Sequence, residues 1–263
     1  MTVQNDFGLI GLAVMGTGSV SAVDPLKEKT AFETGRYIVD LLRRGIRPKD
    51  IVTRKAFENA ITVVMALGGS TNAVLHLLSL AHEAEVNLDI DDFEKIGAKV
   101  PLIGDFKPFG KYVMEDLFKI GGIPVVMKHL YQHGLIHGDC LTVTGKTVAE
   151  NLKEVKDLPD NQTVIYPVDK PLAPPSKHIL ILRGNLAPDG AVIKLSGKEM
   201  LQHTGPARVF DCEEEALNAI LAGKIKKHDV IVIRFEGPKG GPGMREMLSP
   251  SAALMGAGLG ADV

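Results

Sequence analysis

The sequence predicts an α/β protein in two parts, mostly helical over residues 1–160 and β-rich over residues 161–263. Three observations carry this expectation. Apolar residues recur at helical spacing, punctuated by glycine stops, as far as about residue 155. A polar stretch from Leu158 to Ser176 then holds Pro159, Pro167, Pro171, Pro174 and Pro175, and reads as a domain boundary. Beyond it come short apolar runs rich in β-branched residues, separated by turn signals.

Element by element, Ala31, Tyr37, Ile38, Leu41 and Leu42 place a first helix between Pro25 and Gly45, with the glycine as its stop. Thr53 can cap a second helix, which carries Phe57, Ile61, Val64 and Met65 and ends at Gly68-Gly69. Ser70 or Thr71 can cap a third, through Val74, Leu75, Leu78 and Leu80. Asp91-x-x-Glu94 and Thr147-x-x-Glu150 fit the reciprocal capping pattern, and Pro124 suits the first turn of a helix ending at His133-Gly134. Strands are expected at Ile179 to Leu182, Ala191 to Leu195, Ala207 to Phe210 and Val230 to Phe235, with one helix from about Cys212 to Ala222 capped by Asp211-x-x-Glu214. The β-rich half is expected to hold its structure best and the helical half to fray.

The termini read as cuts. Polar MTVQND runs straight into the glycine-interrupted apolar stretch from Phe7 to Val23, and Asp262-Val263 looks like the start of another strand. Truncation at both ends is therefore expected.

With 263 residues, 45% of them hydrophobic, the chain can bury a sizeable core. Thirty Lys and Arg against 32 Asp and Glu give a net charge of -2, so nothing marks a surface for nucleic acid or an anionic membrane. No apolar run approaches the roughly 20 residues that span a bilayer. Two cysteines make neither a disulfide framework nor a Cys-x-x-Cys motif, and a cytoplasmic setting is expected.

Candidate chemistry is sparse. Thr144-Gly145-Lys146-Thr147 ends like a phosphate loop, but Cys140 stands where that pattern needs glycine. The glycine run from Gly237 to Gly243 follows an apolar strand and delivers Glu246; a tight turn or a site loop, and a helix-start charge or a metal ligand, remain open there. His129 and His133 are four apart at a helix C-terminus, where the helix dipole favours them. Cys140, beside Asp139, lacks the cationic neighbour that activates a thiol and reads as a buried structural cysteine. By spacing alone, Gly68-Gly69-Ser70-Thr71-Asn72 is a helix junction with capping residues.

Six stretches taken together carry a resemblance: ALGGSTNAVLHLL (66–78), VPLIGDFKPFGKYVMEDLFKIGGIP (100–124), GLIHGDCLTVTGKTVAENL (134–152), GNLAPDGAVIK (184–194), GPARVF (205–210) and VIRFEGPKGGPGMREMLSP (232–250). The chain resembles the dihydroxy-acid dehydratases, within the family that also holds the sugar-acid and phosphogluconate dehydratases. Phe109 departs from the serine often found there. The resemblance implies the rear of an N-terminal cofactor domain followed by an incomplete, swivelling β-barrel-like C-terminal domain. It implies dehydration of 2,3-dihydroxy-3-methylbutanoate and its methylpentanoate homologue to 2-oxo acids, in valine and isoleucine synthesis. An iron-sulfur cluster held by three cysteines would act as Lewis acid on the C3 hydroxyl, magnesium would grip the carboxylate end, and a serine alkoxide would remove the C2 proton.

The same resemblance sorts the residues present. Glu246 of GGPGMREM matches the magnesium-ligand glutamate, and Asn72 of GGSTN falls beside the substrate pocket. Neither Cys140 nor Cys212 matches a cluster ligand; the cluster cysteines belong upstream of residue 1 and the catalytic serine beyond Val263. The complete enzyme is expected to be a cytoplasmic homodimer acting on a small dihydroxy acid, and this chain alone an inactive fragment. The alternatives are a sugar-acid dehydratase of the same family and a noncatalytic product of a split gene.

Overall fold

A computed structural model of the chain describes residues 8–21, 23–107, 110–176, 178–195, 202–237 and 247–263. They form two compact units, Met1–Gly197 and Lys198–Val263. Glu246, Phe109 and most of the expected glycine loop lie outside the described residues.

The first unit is helical. After a short 3-10 turn at Thr17–Ser19 come α1 (Leu26–Arg44), α2 (Pro48–Ile51), α3 (Arg54–Leu67), α4 (Asn72–Glu83), α5 (Ile90–Gly97), α6 (Met114–Lys119), α7 (Gly122–Gln132) and α8 (Val148–Leu152). The expected caps at Thr53 and Thr147 form: each hydroxyl accepts from the backbone N–H three residues on, and Glu150 returns a bond to Thr147 N. The box at the start of α5 is shifted by two residues from the expected one. Asp89 and Asp92 make it, because Arg54 Nη1 donates to Asp92 Oδ2 at 2.8 Å and holds that carboxylate at the helix mouth.

The core is centred on α3, whose residues from Ala56 to Leu67 are nearly all buried. Phe57, Ile61, Leu77, Phe93, Ile103, Leu117 and Leu130 are fully buried around it. Helix α1 buries only Leu41, and that residue lies outside this core; Phe32, Ile38 and Leu42 are 70%, 63% and 79% exposed. The expectation that the helical half would fray runs against the distribution of burial: the larger core lies there, while β2 and β4 contain no buried residue.

Packing divides the chain near residue 197, some way beyond the division that the prolines suggest. The proline-rich stretch is no free linker. Broken by turns, it packs on the helical unit through isolated antiparallel bridges Gly104 to Ile165 and Leu102 to Ala173, and Val164 and Ile165 enter the core. A hairpin of β1 (Ile179–Leu182) and β2 (Ala191–Lys194) then pairs antiparallel, with Ile179 opposite Lys194.

The second unit joins β3 (Ala207–Phe210) to β4 (Val230–Ile233) in parallel through α9 (Glu213–Leu221), followed by α10 (Leu248–Gly256). The expected Asp211 cap does not form. Asp211 Oδ1 instead accepts from Arg234, the N-cap position falls on Cys212, and Glu236 Oε1 accepts from Glu213 N at 3.0 Å. Among the described residues, the four strands make two separate two-stranded sheets.

Candidate functional site

Helix α3 ends in consecutive glycines for steric reasons. Gly68 has φ +68°, and a Cβ there would lie 3.1 Å from Leu102 Cδ1 and 3.2 Å from His178 Cε1. A Cβ on Gly69 would lie 2.9 Å from Val64 Cγ1. Gly68 N and Gly69 N close the helix on the carbonyls of Met65 and Val64. Ser70 Oγ then accepts from Asn72 N at 3.2 Å, so Asn72, half-buried, opens α4.

The carbonyls of the two glycines face donors from the β1–β2 hairpin. Lys194 Nζ donates to Gly68 O at 3.0 Å, and His178 Nε2 donates to Gly69 O at 3.1 Å. A carbonyl only accepts, so Nε2 carries the imidazole proton. His178 is 5% exposed, and burial pushes its pKa down to about 4; burial also lowers that of Lys194. The ring is therefore neutral near pH 7.

These side chains line a cavity of about 280 Å³ together with Leu67, Leu102, Phe106 and Leu172. Its floor is the segment from Leu102 to Phe106, held under the end of α3 because Ile103 N and Gly104 N both donate to Ala66 O. Buried Asp105 also lines it, with its backbone carbonyl taking the N–H groups of Lys111 and Tyr112. An ammonium, a neutral imidazole and an aspartate thus line the cavity against apolar walls. Asn72 is not among its lining residues; it stands four positions along the chain from Gly68.

The other sequence candidates resolve into structure. Cys140 is buried, Asn59 Nδ2 approaches its sulfur at 3.7 Å, and burial, then Asp139, raises its pKa. His133 Nδ1 bonds His129 O at 2.8 Å across the last turn of α7, as a helix C-terminus favours. Thr144 Oγ1 donates to Asn151 Oδ1, which ties the Gly-Lys-Thr loop to α8. His178, Lys194 and Asp105 escaped the sequence reading. Their hydrogen-bond partners or neighbours in the cavity come from segments up to 126 residues away, and no local spacing announces them.

Two family descriptions match in tandem: dihydroxy-acid/6-phosphogluconate dehydratase N-terminal over residues 1–151, and the corresponding C-terminal one over residues 163–263. The chain belongs to the dihydroxy-acid/6-phosphogluconate dehydratase family. It is 57% identical over 263 residues to the dihydroxy-acid dehydratase of Thermosynechococcus vestitus, covering all of this chain and 47% of that relative. Against the dihydroxy-acid dehydratase of Methylococcus capsulatus it is 56% identical over 262 residues, covering 100% of this chain and 46% of the relative. The enzyme of that name from Oceanobacillus iheyensis is 56% identical over 254 residues, 97% of this chain and 45% of the relative. The chain spans about half the length of the curated relatives it matches. In this dehydratase-family chain the GGSTN junction comes from the N-terminal match, whereas His178 and Lys194 come from the C-terminal match.

The described residues do not fit an iron-sulfur cluster. Among them no three His, Cys, Asp or Glu side chains gather as a metal site. Burial holds Cys140 as a thiol, whereas cluster ligands are thiolates, and Cys212 is the N-cap residue of α9 in the second unit. No described helix is long and apolar enough to cross a membrane.

Proposed function

We propose that this chain is part of a dihydroxy-acid dehydratase, a hydro-lyase that converts 2,3-dihydroxy-3-methylbutanoate and its methylpentanoate homologue to 2-oxo acids. The observation that carries this reading is the identity of more than half, along the whole chain, to relatives that bear that name. Within the reading, Asn72 borders the substrate pocket and Glu246 is a magnesium ligand; the cluster and the base that takes the C2 proton come from outside this chain. Homodimer assembly, a cytoplasmic site of action and a domain division near residue 160 belong to the same proposal.

The chemistry suits the residues that are present. Hydroxide leaves poorly and the C2 proton is weakly acidic, so the pocket must hold the substrate rigidly while charge is stabilised at both positions. A glycine-terminated helix, bonded through both glycine carbonyls, provides a rigid wall for that pocket.

The test is a chimera in which residues 1–263 replace the matched segment of the Thermosynechococcus vestitus relative. It should turn over the branched dihydroxy acid at least about tenfold better than a sugar acid, a discrimination of ordinary size for shape and polar contacts. A folded chimera that prefers the sugar acid, or that turns over neither substrate, overturns the reading.

A further inference from the structure

The conformational freedom of the GGSTN junction is concentrated in its two glycines, since each can rotate its peptide plane more freely than any other residue. In the structure both planes are pinned. Gly68 O and Gly69 O each receive a hydrogen bond from a side chain more than a hundred residues away, Lys194 at 3.0 Å and His178 at 3.1 Å. The hairpin brings these two donors together: Ile179 pairs with Lys194, and Leu195 N donates to His178 O at 2.8 Å, so both side chains leave the same end of the ladder.

The bonds are well placed energetically. A cation at the C-terminal end of α3 meets the negative end of the helix dipole, and a neutral imidazole donates without bringing a second charge into the buried corner. Removing Lys194 takes a hydrogen bond from the carbonyl of Gly68, which lines the cavity, and removing His178 takes one from the carbonyl of the next residue. Pinning those two peptide planes sets where Ser70 begins, and Ser70 Oγ accepts from Asn72 N. The chain of contacts therefore runs from the hairpin, through two backbone carbonyls and one hydroxyl, to Asn72.

We propose that His178 and Lys194 are positioning residues that act together as a clamp on the GGSTN junction and so set the placement of Asn72 in the substrate pocket. The last clause rests on the dehydratase reading; the clamp itself does not. It ties the segment matching the C-terminal family domain to the segment matching the N-terminal one, so the pocket wall is set by both.

Two measurements test it. The first needs no turnover: hydrogen exchange of the Gly69 to Ala73 amides in this chain, native and Lys194→Met. Exchange there should rise by about tenfold or more while the amides of α7 keep their rates, since local opening is governed by local contacts. Unchanged exchange at Gly69 to Ala73 overturns the clamp. If Lys194→Met does not fold, Lys194→Leu and His178→Leu, which also remove the donor, carry the same expectation.

The second uses the chimera. Lys194→Met should raise KM by about tenfold with kcat within about threefold, and Lys194→Arg should restore most of the loss. In an Asn72→Ala background Lys194→Met should have almost no further effect, because residues acting through one contact are not additive. Full additivity would mean that the hairpin stabilises the fold without placing Asn72, and would overturn the positioning role. A native chimera without turnover counts against the dehydratase reading alone, and the exchange experiment still decides the clamp.

Discussion

At the scale of single residues, burial sets the chemistry of His178. Its pKa in the folded chain, about 4, lies below the ordinary 6.5, so the unfolded chain binds more protons between those values. Stability should therefore be flat above about pH 6.5, fall as the pH drops toward 4, and reach its full loss below 4. Between about pH 7 and pH 5 the loss should be roughly 2 kcal/mol, read from denaturant midpoints, and His178→Gln should remove that part of the slope. A native chain whose stability is level across this range would show that His178 is better solvated than its burial implies. Glu246 is a different case. In the chimera, Glu246→Gln keeps size and hydrogen bonding but removes the charge that a magnesium site requires, so turnover should fall by about a hundredfold or more. Near-normal turnover without added magnesium would make Glu246 a helix-start charge.

At the scale of elements, the end of α3 carries both fold and site. Gly68 and Gly45 are both left-handed C-caps, with φ +68° and +66°, but only Gly68 has atoms within 4 Å of a built Cβ. Gly45→Ala should thus show the backbone penalty alone, about 1 kcal/mol. Gly68→Ala should cost about 1 kcal/mol more, because Leu102 and His178 must give way. Equal losses in chemical denaturation would mean that the cavity wall yields freely. The sequence marked these helix ends clearly, because a glycine after a periodic apolar run has a local cause. It misplaced the caps of α5 and α9, where partners distant in sequence decide: Arg54 recruits Asp92, and Arg234 draws off Asp211.

At the scale of the whole molecule, the distribution of apolar surface matters most. Phe32, Ile38 and Leu42 of α1 are each more than half exposed, and exposed apolar side chains of this size favour association. The 263-residue chain should self-associate at micromolar concentrations in light scattering, and Phe32→Glu with Leu42→Lys should shift it toward monomer. If the double variant associates as strongly as the native chain, the sticky surface is elsewhere.

The sequence by itself determined the longer helices and the four strands, the glycine stops, two of the caps and, through six motif-bearing stretches, the family; it missed the short helices α2 and α6 and the turn at Asp262. Each of these has a cause within a few neighbouring residues or in the wording of a motif. Tertiary structure alone decided that the proline-rich stretch packs on the helical unit, that the larger core lies there, and that His178 and Lys194 meet the two glycines. The physical reason is the same in each case: an irregular segment and a buried donor gain their energy from groups far away in sequence, and no local pattern records which groups those are.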